Sequence, residues 1–271
     1  MRQNEKSPMV LNHAAAASAL AEILLSEKPS EELVRQRVAA IQASVLRQSR
    51  YLRELDFKII HPYDLEILFG AYDEQFWRSS CRRALDGRKL DFRLSSRMTR
   101  AGGKTTRFKS RTGEVSYEIS IAGSVLFDAF GRNDRSVTVC GLECGNRLEA
   151  LLRILEHELI HLAEYLCWEN SDCAATRFQE IAGRFFLHRT HTHDLVTRHE
   201  RAAESGIRVG SRVSFVFEGQ RLTGRVNRIT KRATVLVEDS GGQKYSDGSR
   251  CKIYYVPISG LQTLRDHAKV S

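Results

Sequence analysis

The sequence contains no apolar run that approaches the length of a membrane span, so no transmembrane helix is expected. Its six cysteines fall in no regular framework. In a chain of 271 residues that argues against a disulfide scaffold and for reduced thiols in the cytoplasm. Cys140 and Cys144 have the spacing of half a zinc site, but no second pair lies nearby, and they read as two unrelated thiols. Acid is missing from the stretch between Phe92 and Gly113, which holds Arg93, Arg97, Arg100, Lys104, Arg107, Lys109 and Arg111. Such a run can track a phosphate backbone or simply form a solvated hairpin. Acid is also scarce from Ser205 to Ser271, where 12 basic residues face 5 acidic ones, a net of +7 out of +9 for the whole chain. The rest of the chain is nearly balanced. A positive excess confined to one segment points to a polyanion, most simply DNA or RNA, with a solvated basic surface as the alternative.

The chain does contain His157-Glu158-Leu159-Ile160-His161, an H-E-x-x-H run. On a helix, positions i and i+4 share a face, so His157 and His161 can offer two imidazoles to one Zn²⁺. Glu158 can then deprotonate the water that attacks a peptide carbonyl. Leu148, Leu151, Leu152, Leu155, Leu159, Leu162 and Leu166 recur at helical spacing around the motif, which places it in a long buried helix. Two histidines and a glutamate there are costly unless a metal compensates them.

Residues 11–53 look helical, with an Ala-rich stretch from Ala14 to Leu25 and a helix start at Pro29-Ser30-Glu31-Glu32. Val34, Val38, Ile41 and Val45 form one apolar stripe that can dock on the main domain or pair with another chain. His61-Pro62-Tyr63-Asp64 opens a helix expected to run to about Arg83. Leu90–Leu94, Tyr117–Ile121 and Val137–Cys140 read as strands, with a turn at Gly102-Gly103. After the H-E-x-x-H helix come a loop around Glu169–Asp172 and a helix from about Cys173 to Leu187. From Val209 the pattern becomes short strands and turns, some five strands in about 55 residues, which suggests a small barrel. Glu200–Gly206 is the expected linker. Phe215, Phe217, Tyr254 and Tyr255 can stack bases or fill the barrel's core.

Asp64–Phe69, Ser96-Arg97-Met98-Thr99-Arg100-Ala101-Gly102-Gly103, Tyr117–Ile121, the H-E-x-x-H run and Arg189–Leu195 together resemble the SprT-like domain, over roughly residues 60–197. The family includes Spartan-type zinc proteases that remove proteins crosslinked to DNA. The resemblance implies a zincin-like, minigluzincin-type fold and a zinc protease acting on DNA-associated proteins. Family members usually place a third zinc-binding histidine ahead of the helix that follows the motif. A gap-free count puts Ala174 there, with Cys173 adjacent. Cys173 is the candidate third ligand, a thiolate being a good one for zinc. Asp172, His188, His191 and His193 are alternatives, and Asp172 also reads as a helix cap.

The expected architecture is α+β. A helical segment (1–55) precedes a SprT-like zinc-peptidase domain (56–200) of helices on a small antiparallel sheet. A basic SH3-like barrel (207–265) follows. The strand Tyr117–Ile121, if it edges the sheet, can hold an extended substrate by main-chain pairing. The competing expectation is an inactive nucleic-acid-binding module that keeps the fold without the third ligand.

Overall fold

The structure, a computed structural model, describes residues 8–96, 98, 101–130, 137–195, 206–229, 232–245 and 247–264. Arg97, Thr99, Arg100, Lys231 and all of the expected linker except Gly206 lie outside the described residues. The chain divides into two compact units, residues 1–195 and 196–271.

Unit 1 begins with α1 (Pro8–Ser26) and α2 (Glu31–Gln48). Ser30 caps α2 by accepting a hydrogen bond from the Leu33 amide at 3.2 Å, which satisfies one of the helix's orphan donors. The stripe Val34, Val38, Ile41 and Val45 is buried in the core of unit 1, so it docks within the chain. α3 (Pro62–Trp77) starts with a capping box. The His61 ring accepts from the Tyr63 amide, and the Asp64 carboxylate accepts from the His61 amide at 2.7 Å. Asp64 also accepts from the Ser49 hydroxyl at 2.6 Å, which pins the end of α2 to the start of α3.

The single helix expected up to Arg83 is in fact two. The chain leaves the helix at Arg78 and Ser79, both left-handed, and resumes in α4 (Ser80–Leu85). The physical cause is a competing cap. The Asp73 carboxylate, buried inside α3, accepts from the amides of Cys81 and Arg82 at 2.9 Å each. The free amides at the start of α4 are thus satisfied from the preceding helix.

β1 (Leu90–Leu94), β2 (Gly103–Lys109) and β3 (Val115–Ile121) form a three-stranded sheet in the order β1-β3-β2. It is mixed, not antiparallel as expected: β1 runs parallel to β3, and β2 antiparallel to it. The β2–β3 hairpin folds β3 into the middle, so Tyr117–Ile121 is the central strand and its edges are both taken. Among the described residues β2 has a strand neighbour on one side only. α5 (Gly123–Ala129), which has no expected counterpart, leads to the hairpin β4 (Val137–Val139) and β5 (Leu142–Cys144). Cys140 (φ 53°) and Gly141 (φ 73°) make its tight turn. Cys140 and Cys144 are separate free thiols, both buried.

α6 (Arg147–Trp168) packs on β2 and β3 and carries the H-E-x-x-H run. Asn146 caps it, accepting from the Glu149 amide at 3.0 Å, while Glu149 accepts from the Gly145 amide at 2.8 Å. All seven leucines of its apolar frame are buried. At about 1.5–3 kcal/mol for each fully buried leucine, this face anchors the helix that bears the motif. α7 (Thr176–Phe186) is shorter than expected and packs on α6.

Unit 2 holds β6 (Arg212–Phe217), β7 (Gln220–Ile229), β8 (Ala233–Lys244), β9 (Arg250–Val256) and β10 (Gln262–Thr263). They form a five-stranded antiparallel sheet in the order β10-β6-β7-β8-β9. The segment Asp239–Gly242, expected as a turn, lies within β8, where its pairing with β9 shifts between Glu238 and Gln243. Val213, Phe215, Val226, Val235 and Val256 make the core, and Tyr254 packs against it. Phe215 and Tyr254 therefore serve the interior, with ring centroids 5.4 Å apart. Phe217 lies against Tyr254, and Tyr255 faces out. Among the described residues of the chain, no helix is long and apolar enough to cross a membrane.

Candidate metal centre

The i, i+4 spacing on α6 brings the His157 and His161 Nε2 atoms to 3.1 Å from each other. The loop between α6 and α7 returns over them and adds Cys173. One ligand atom from each of His157, His161 and Cys173 lies within 4.8 Å of the others, a set that can hold a metal ion. Phe178, the buried residue of the first turn of α7, packs on both imidazoles at centroid distances of 4.8 and 4.6 Å.

Both histidines are held neutral, the form in which an imidazole can ligate a metal. Burial, then the neighbouring His161, holds His157 down to about 3, and burial holds His161 down to about 4. A relay sets the tautomer of His161. The Ser171 hydroxyl donates to Glu164 at 2.5 Å and so accepts from His161 Nδ1 at 2.6 Å. This leaves Nε2 as a bare lone pair facing His157. Arg177 donates to the other Glu164 oxygen at 2.7 Å, which compensates the buried carboxylate. Replacing Ser171 by Ala should weaken metal binding about 10- to 100-fold, the usual cost of losing a hydrogen-bonding partner of a ligand. Metal titration of the variant against wild type checks this.

Glu158 points to the sheet. Its Oε2 accepts from the Thr105 hydroxyl at 2.7 Å, and burial pushes its carboxyl up to about 7 against that bond. Gly103 makes room for it: a Cβ there would stand 2.6 Å from Glu158 Oε1. The Gly102-Gly103 pair, expected as a turn, thus contains the first residue of β2, and Gly103 is required for close approach. Gly103→Ala should displace the carboxylate while leaving both histidines in place. On the metallopeptidase expectation drawn from the sequence, the outcome is lower turnover at unchanged metal content, measured on one purified preparation.

His157, Glu158, His161, Cys173, Lys104, Tyr165, His191 and His193 line one open cleft of about 460 Å³. The alternative third ligands fall elsewhere. The Asp172 carboxylate accepts from the Ala174 amide at 2.9 Å and shapes the loop. His188 is buried and bonds Glu156 at 3.0 Å, within a network where Tyr72 and Arg153 also bond Glu156. His191 and His193 reach the cleft wall but not the trio. They are held there because the segment runs antiparallel beside β4, with the Cys140 amide donating to Thr192 O at 2.8 Å and the Asp194 amide to Thr138 O at 2.9 Å.

Sequence reasoning missed Thr105, Ser171, Glu164, Arg177 and Phe178. Glu164 offered a usable signal, as an acid set between Leu162, Ala163 and Leu166 about one turn from His161. No protein-family model, no curated protein and no solved structure matches this chain.

Proposed function

We propose that the chain is a zinc-dependent peptidase of SprT-like type, acting on proteins held on nucleic acid. On this reading unit 1 is a zincin-like, minigluzincin-type domain and unit 2 a basic SH3-like barrel, in a protein of the reducing cytoplasm. The observation that carries the proposal is the His157, His161 and Cys173 trio with Glu158 buried beside it in one cleft.

The donor set suits zinc. Two nitrogens at zinc-bonding distance in a tetrahedron lie about 3.3 Å apart, close to the 3.1 Å between the two imidazoles. A thiolate completes a three-residue set that leaves one position open, the arrangement of catalytic sites. Zinc so bound supplies Lewis acidity, polarising a carbonyl and acidifying water. The protein supplies the rest. His157, His161 and Cys173 would hold the ion. Glu158 takes the proton of the attacking water and passes it to the leaving amine. Thr105 and Gly103 hold its carboxylate in line. The side of β2 that has no strand neighbour among the described residues, with its first residues lining the cleft, offers main-chain groups to an extended substrate, the role expected of Tyr117–Ile121. Unit 2, with most of the excess positive charge, tethers the enzyme to the polymer and raises the local concentration of its substrates.

The deciding experiment measures zinc per chain in wild type, Cys173→Ala and Cys167→Ala, together with cleavage of a protein substrate in the presence of DNA. Wild type should hold one zinc. Cys173→Ala should lose most of it and Cys167→Ala should not, since Cys167 lies on α6 against α1 with its thiol at Ala17 O. Wild type without zinc, and indifferent to added zinc in melting and activity, would sink the proposal. Zinc bound without cleavage would leave the inactive-module reading.

A further inference from the structure

Alternation along the strands of unit 2 places Val213, Val226, Val235 and Val256 on the inner face. Their neighbours therefore stand on the outer face. Strand register aligns these in two adjacent rows. One row runs Arg212, Arg225, Leu236, Ile253 across β6, β7, β8 and β9. The other runs Arg228, Thr234, Tyr255. The register shift between Val226 and Arg228 is what turns Arg228 outward. In a regular strand, alternation from Val226 would send Asn227 out, Arg228 inward and Ile229 out. The bulge instead buries Ile229 and aligns Arg228 with Tyr255.

This face combines three exposed arginines with exposed apolar surface. Tyr255 is 65% exposed and Ile253 40%. We propose that it is a platform for single-stranded nucleic acid, with a base stacked on Tyr255 beside Ile253 and phosphates on Arg212, Arg225 and Arg228. The proposal rests on the reading of unit 2 as a nucleic-acid tether and specifies its surface and its partner. An exposed ring pairs with the face of an unstacked base, which a duplex hides. Guanidinium groups complement phosphate in charge and geometry. Glu238 and Asp247 border the recess at Arg225, so the strand's path favours the Arg228–Tyr255 row.

The test uses the full chain and a fluorescein-labelled oligothymidylate, with fluorescence anisotropy as readout and a duplex of equal length as comparison. The single strand should bind more tightly than the duplex. Tyr255→Ala should weaken it about 10-fold, and Tyr255→Phe should not, because stacking survives in phenylalanine. Replacing Arg212, Arg225 and Arg228 together by Gln should lower the slope of log K against log salt by about 2. Circular dichroism on each variant controls for folding.

If binding is salt-sensitive but indifferent to Tyr255→Ala, or tighter for the duplex, the platform is wrong and the tether stands. If neither nucleic acid binds at low ionic strength, both fall. If polyglutamate binds instead and the arginine variant weakens it, the face serves an acidic protein and the proposal is overturned.

Discussion

Glu158→Gln should bind zinc like wild type and lose about two to four orders of magnitude in turnover, the usual contribution of a positioned general base. The variant keeps size and shape. Its amide oxygen can still accept from the Thr105 hydroxyl, now 2.7 Å from the carboxylate, and the close fit over Gly103 is undisturbed. What disappears is basicity. Burial pushes the Glu158 carboxyl up to about 7, which suits a group that takes a proton from water and returns it near neutral pH. Zinc content and turnover on an unfolded protein substrate should be measured on the same sample. Retained zinc with full activity would remove Glu158 from the chemistry. Loss of zinc would assign it to the architecture of the centre.

The second large effect concerns the metal itself. His157→Ala and His161→Ala should each strip zinc and lower the melting temperature. A metal held by the native state alone stabilises it by mass action, about 4 kcal/mol when its free concentration is a thousand times the dissociation constant. Part of any loss comes from the space opened against Phe178, which packs on both rings. Chelation separates the two contributions. A chelator should lower the melting temperature of wild type and leave that of either variant unchanged. A wild type insensitive to chelation would show that the two imidazoles do not hold an ion that stabilises the fold.

The lesson of the third ligand is one of position. Cys173 was legible as a candidate because it lies next to the place where a histidine was expected, but Asp172 and three later histidines competed with it. Tertiary structure separates the histidines from it through partners far apart in sequence, and Asp172 through its own loop. His188 is taken by Glu156, Asp172 by its own loop, and His191 and His193 by the strand-like run beside β4. The partners of the three histidines are not visible from spacing.

The sequence by itself determined the features that depend on near neighbours. The leucine frame and the i, i+4 histidines set the helix of the motif and the facing pair, because helical periodicity is a local property. The Ser30 cap, the helix start at His61-Pro62 and the charge of the last segment are equally local. The tertiary structure decided which strand is central, where α3 ends, and which of the aromatics in unit 2 face water. Strand order depends on how a hairpin folds back, the break after Trp77 on one buried carboxylate of Asp73, and the outward turn of Arg228 on one bulge. It also decided that Thr105, Gly103 and Ser171 belong to the candidate centre. Each meets the H-E-x-x-H helix only because sheet, helix and loop pack together, and burial makes those few contacts matter.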